Sequence, residues 1–145
     1  MEYVRIVHPL LISEVDGRPS DLAFKKSSAD AGISCVNVKC AVAESDSVCR
    51  HIARYYAEPI KGDPIIYWPV PDSPLLKDGK WEHKVGTNGD PCHYNLLNVS
   101  RNAACKLIRS QPIGAFVLCD GDSVRTLQLS DIIASRARHA EKDAS

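Results

Sequence analysis

Four Asp-Gly or Asn-Gly steps punctuate this chain, at Asp16-Gly17, Asp78-Gly79, Asn88-Gly89 and Asp120-Gly121. Each favours a tight reversal, because glycine reaches positive φ without a Cβ clash and a preceding Asp or Asn tolerates the same bend. A chain that keeps turning back between short apolar runs builds neighbouring strands that pair antiparallel. Little room remains for the regular strand-helix-strand alternation of a parallel sheet.

The runs between these turns have the character of strands. YVRIVH, residues 3 to 8, is β-branched and aromatic, and Pro9 closes it. ISCVNVKCAV, residues 33 to 42, alternates with Val36, Val38, Cys40 and Val42 on one face and Asn37 and Lys39 on the other, so it reads as one strand with Cys40 in the core and Cys35 on the more polar side. IIYWPV, HYNLLNV and the pair GAFVLC and SVRTLQL around Asp120-Gly121 follow the same logic. Three helices are predicted. One starts at Ser45 and stops at Pro59, with Val48, Ile52, Tyr55 and Tyr56 as its apolar stripe and His51 facing solvent; Ser100 and Ser130 cap the other two, with Ala104, Leu107 and Ile108 buried in the former. The expected architecture is α+β: a mainly antiparallel sheet of about six strands with two or three helices packed on one side.

With 145 residues and 44% hydrophobic content, the chain can enclose one core but not two, so a single domain over 1–145 is expected. Residues 69–91 crowd prolines, glycines and acids together and read as an irregular projecting segment, with KWEHKV as its hairpin strand. The group Arg136, Arg138, His139 and Lys142 wraps a helix instead of striping it, and a loosely ordered end is expected from about residue 138.

Eighteen basic residues balance eighteen acidic ones. Net charge therefore gives no indication of nucleic acid or an anionic membrane as partner. The N-terminal stretch has no long apolar region, and no run of apolar residues is long enough to span a bilayer, so a cytoplasmic protein is expected. Six cysteines in a reducing compartment are then expected as free thiols. Cys35 and Cys40 fit a zinc spacing only loosely, and neither a metal nor a cofactor is called for. The chain holds no G-x-G-x-x-G, phosphate-binding lysine loop, H-E-x-x-H or G-x-S-x-G, which closes the familiar nucleotide and hydrolase routes.

Cys92 and His93 are the one adjacent cysteine and histidine. In extended backbone their side chains diverge, so they cannot serve one another as nucleophile and base. His8 ends a strand beside Pro9, which fixes its direction, and His93 opens another. If those strands are neighbours, the two imidazoles can share one edge.

The stretches His8-Pro9, Gly17-Arg18-Pro19-Ser20, Ala23-Phe24-Lys25 and Asp30-x-Gly32-x-Ser34 resemble the opening of a family of short uncharacterised bacterial proteins. In that family a later N-P-A-H segment corresponds to Asp90-Pro91-Cys92-His93, with Asp90 here for the asparagine and Cys92 for the alanine. The resemblance implies no fold, activity or cofactor. It does place His8 and His93 in one frame and marks the cysteine as replaceable.

Two functions follow as expectations. The first is a small bacterial protein-interaction or regulatory module binding another protein, with Trp68 and Trp81 bracketing the projecting segment as candidate contacts and self-association left open. The second is an enzyme for a phosphate-bearing or nucleotide-like substrate, of nuclease or ADP-ribosyl type, with His8 and His93 catalytic and Lys25, Ser28 and Asp30 in support.

Overall fold

A computed structural model describes residues 3–20, 32–56 and 63–144. In chain order its strands are β1 (Tyr3–Val7), β2 (Ile33–Asn37), β3 (Ile65–Pro69), β4 (Lys80–His83), β5 (His93–Leu97), β6 (Val117–Asp120) and β7 (Ser123–Thr126). The helices are α1 (Val38–Ser45), α2 (Val48–Tyr55), α3 (Arg101–Arg109) and α4 (Leu129–Ala144). All seven strands join one sheet in the order β4-β5-β2-β1-β3-β6-β7, and every pairing is antiparallel. The α+β class follows.

Helices cover both faces of the sheet, not one. Val7, Ile66 and Leu118 sit opposite one another across β1, β3 and β6, and join Ile33, Cys35, Trp68 and Leu96 against Leu107 and Ile108 of α3 and Ile132 of α4. The alternate positions Val4 and Val36 pack with Ala41 of α1 and Cys92, and Val48 of α2 lies against them. Because successive strand residues point to opposite faces, the central strand β2 buries apolar side chains on both, Ile33 and Cys35 on one and Val36 on the other. Phe116 and Trp68 are fully buried in the larger core, with ring centroids 6.4 Å apart. Phe116→Ala is expected to lower stability by about 3–5 kcal/mol in urea titration, the usual result of opening a large core cavity.

Three local readings change. The run at 33–42 stops being a strand at Asn37, whose side chain accepts the Cys40 N–H at 2.9 Å and starts α1. Capping outweighs the alternation that continues through Val38, Cys40 and Val42. Cys35 accordingly faces the larger core, and burial pushes its thiol up to about 12. Residues 69–91 do not project as a hairpin: β4 is the edge strand of the main sheet, paired with β5 across the Asn88-Gly89 turn. Gly17, Gly89 and Gly121 adopt positive φ as the turn steps require. Gly79 does not; a Cβ there would lie 2.8 Å from Leu96 Cδ1 and 3.0 Å from the Leu76 carbonyl, so close approach explains that glycine.

The last helix is longer than its sequence suggested. It runs to Ala144, and Arg136 Nη2 ties it down by donating to the carbonyls of Leu10 and Ile12 at 3.1 and 2.8 Å. Among the described residues, no helix is long and apolar enough to cross a membrane.

Candidate active site

The register of β2 against β5 sets Val36 opposite His93 and Ser34 opposite Asn95. Ser34 and His93 are therefore diagonal neighbours on one face of the sheet, within side-chain reach. Ser34 Oγ lies 2.6 Å from His93 Nε2, and His93 Nδ1 lies 2.7 Å from the carbonyl oxygen of Lys84. A carbonyl can only accept, so Nδ1 carries the ring proton and Nε2 offers its lone pair to the Ser34 hydroxyl. The result is a hydroxyl, an unprotonated ring nitrogen and an orienting acceptor in series. That is the arrangement by which a serine is activated, with a backbone carbonyl in the position a carboxylate often fills.

The dyad lines a cavity of about 500 Å³ bounded by Arg5, Tyr56, Glu82, Lys84 and Asn95. Gly32 lets β5 come close beside Ser34: a Cβ there would stand 2.7 Å from Asn95 Cβ and 2.9 Å from the Leu96 carbonyl. Arg5 Nη1 donates to the Ser34 carbonyl at 2.6 Å, and burial lowers the guanidinium's pKa. Two cations and one acid on the wall favour an anionic guest over a cationic one.

Behind this cavity sits a buried polar network that sequence reading missed. His51, expected at the surface, is wholly buried, as is Asp90. His51 Nε2 is 2.6 Å from Asp90 Oδ1, and His51 Nδ1 is 2.9 Å from Ser45 Oγ. The Tyr56 hydroxyl donates to Asp90 Oδ2 at 2.5 Å, and the Cys92 N–H donates to Oδ1 at 2.8 Å. Burial alone would raise the Asp90 pKa, but the bonds from Tyr56, Cys92 and His51 outweigh it and hold the carboxyl below its usual range. Burial, reinforced by the Asp90 charge, pushes the Tyr56 phenol well up.

A depressed folded-state pKa adds stability that is complete above the unfolded value, near about 4, and is lost as pH falls through the folded value. Asp90→Asn is expected to lose about 1–3 kcal/mol at pH 7 and to flatten the fall in stability below about pH 4, read by urea unfolding across pH.

Cysteines depart from expectation as well. Cys40 is joined to Cys92 and Cys49 to Cys119, with Cys35 and Cys105 outside any disulfide. Cys92 is therefore a staple and not a nucleophile. His93, its neighbour, is free to engage Ser34.

His8 does not join this site. It lies just past the end of β1, four residues beyond Val4, whereas the β1–β2–β5 register brings Val4 and Val36 in line with His93. His8 Nδ1 instead accepts the Leu10 N–H at 3.1 Å, and its ring packs on His139, with centroids 6.1 Å apart. Burial, then the nearby His139, lowers its pKa against the pull of Asp63. Asp63 is itself buried, bonded to His139 at 2.6 Å and to Ser135 at 3.0 Å. Trp68 is a core residue with no exposed surface, which removes it as a binding contact. Trp81 is half-buried and stacks on Tyr3 with centroids 3.6 Å apart. Lys25, Ser28 and Asp30 lie outside the described residues.

Compared with protein-family models, curated proteins and solved structures, the chain matches none.

Proposed function

We propose that this protein is a serine-dependent hydrolase acting on a small ester that carries an anionic group. The observation behind the reading is the 2.6 Å contact between Ser34 Oγ and a His93 ring whose tautomer is fixed by the Lys84 carbonyl. In the proposed reaction Ser34 Oγ attacks the ester carbonyl carbon while its proton passes to His93 Nε2. That proton then leaves with the departing alcohol, and a water activated by the same nitrogen releases the acid from Ser34. Arg5 and Lys84 attract the anionic end of the substrate.

Hydrolysis of p-nitrophenyl esters with neutral and carboxylate-bearing acyl chains tests this. Turnover by the wild type, faster on the anionic ester and about 10²–10⁴-fold slower in His93→Gln, is the expected result, since that range is what a positioned base contributes. No turnover above buffer, or equal turnover by the variant, rejects it.

A second reading keeps the interaction module. A groove of about 860 Å³, walled by Tyr3, Pro69, Pro71, Leu76 and Trp81, gives an aromatic floor of the kind extended apolar peptides use. This reading, like a cytoplasmic location and a bacterial source, rests on the sequence expectations above. Trp81→Ala should leave ester turnover unchanged if the two surfaces are separate.

A further inference from the structure

We propose that Cys40, Cys92, His51 and Asp90 are the ligands of a zinc site that forms when the Cys40–Cys92 disulfide is reduced. The nitrogen of His51, a carboxylate oxygen of Asp90 and the sulfur of Cys92 all lie within 4.8 Å of one another, and all three residues are buried. Cys40 brings a fourth donor, since its sulfur is bonded to that of Cys92. Two sulfurs, one imidazole and one carboxylate are a donor set that suits tetrahedral zinc.

The distances are close to what the ion needs. With bonds of about 2.0–2.3 Å, tetrahedral zinc holds its donor atoms roughly 3.3–3.8 Å apart. His51 Nε2 and Asp90 Oδ1, now at 2.6 Å, would open by less than about 1 Å, and the cleaved sulfurs would part to a non-bonded spacing. The outer partners already stand in place. Ser45 Oγ can accept from His51 Nδ1–H, which frees Nε2 for the metal, while the Tyr56 hydroxyl and the Cys92 N–H hold the two oxygens of Asp90. Such bonds orient first ligands and raise their basicity.

The chemistry balances. A cellular dithiol gives two electrons and two protons to the Cys40–Cys92 bond and becomes a disulfide itself. Zinc then displaces the two thiol protons into solvent and binds two thiolates, a neutral imidazole and a carboxylate. The Cys49–Cys119 bond offers no parallel: among the described residues, no other group of three histidine, cysteine or acidic donors converges in this way. Disulfide and zinc would thus be alternative staples joining α1, α2 and the turn that ends at His93. The site stands independently of the hydrolase reading, because none of its ligands belongs to the Ser34–His93 dyad.

Zinc and cobalt chloride, added to the full chain before and after treatment with a phosphine reductant, test the proposal. Native mass spectrometry counts bound metal, cobalt-thiolate absorption reports the ligands, and circular dichroism reports folding. One metal per chain in the reduced protein and none in the oxidised protein is expected. Cys92→Ser and His51→Ala should each weaken binding at least about 100-fold, with Cys105→Ser unchanged. The proposal is overturned if the reduced, folded chain takes no metal, if the oxidised chain takes it equally, or if Cys92→Ser keeps wild-type affinity. Reduced protein that loses its fold and is not restored by zinc also overturns it.

Discussion

Ser34→Ala is expected to abolish ester turnover, by about 10³-fold or more in kcat, while leaving the protein folded. The argument separates two roles of one hydroxyl. As a nucleophile it has no substitute, because alanine carries no atom that can form the acyl intermediate and a water cannot be held on the same strand position. As a structural group it does little: the Ser34–His93 bond is only part-buried, so water can replace the lost donor at a cost below about 1 kcal/mol. A folded, inactive variant therefore supports a catalytic role. A variant that loses activity and stability together points to a packing role, and one that keeps full activity removes Ser34 from the mechanism.

A large stability effect is also expected from the staple behind the site. Under oxidising conditions with a chelator present, Cys40→Ala/Cys92→Ala should lose about 4 kcal/mol, from the loop entropy of a 52-residue closure. With a urea slope of about 1–3 kcal/mol per molar, the midpoint falls by roughly 2 M. Cys49→Ala/Cys119→Ala closes a 70-residue loop and should lose a similar amount. The two loops overlap in sequence, so a chain already closed by one is partly constrained for the other, and removing both should fall short of the sum. A loss below about 1 kcal/mol for the first pair would mean that the bond restrains a chain already ordered when unfolded, and that the Asp90 network carries the turn instead.

How far the sequence foretold this molecule depended on the range of the interaction involved. The β6–β7 hairpin was legible because its Asp120-Gly121 turn joins strands whose partners are adjacent in the chain, and α3 because Ser100 caps it, accepting the Ala103 N–H, with Ala104, Leu107 and Ile108 at helical spacing. The α1 start was also written locally, in Asn37, but an alternating apolar run of similar length hid it. His51 was misplaced for a different reason. A histidine between two arginines looks solvated until Asp90, far along the chain, folds over it. Ser34 was missed as a site residue because its partner is 59 positions away and the link depends on the β2–β5 register. A reducing compartment predicts free thiols, and pairing among six cysteines cannot be read from their order. His93, expected to share a sheet edge with His8, stands instead beside Ser34.

Labelling with a fluorophosphonate probe tests the central claim most directly, because such a probe forms a covalent bond only with a serine whose hydroxyl is activated by a neighbouring base. Peptide mass analysis should find one adduct, on Ser34, absent in Ser34→Ala and at least about 100-fold slower in His93→Gln. Wild-type protein that takes no label, or takes it on another residue at the same rate in His93→Gln, would contradict the account.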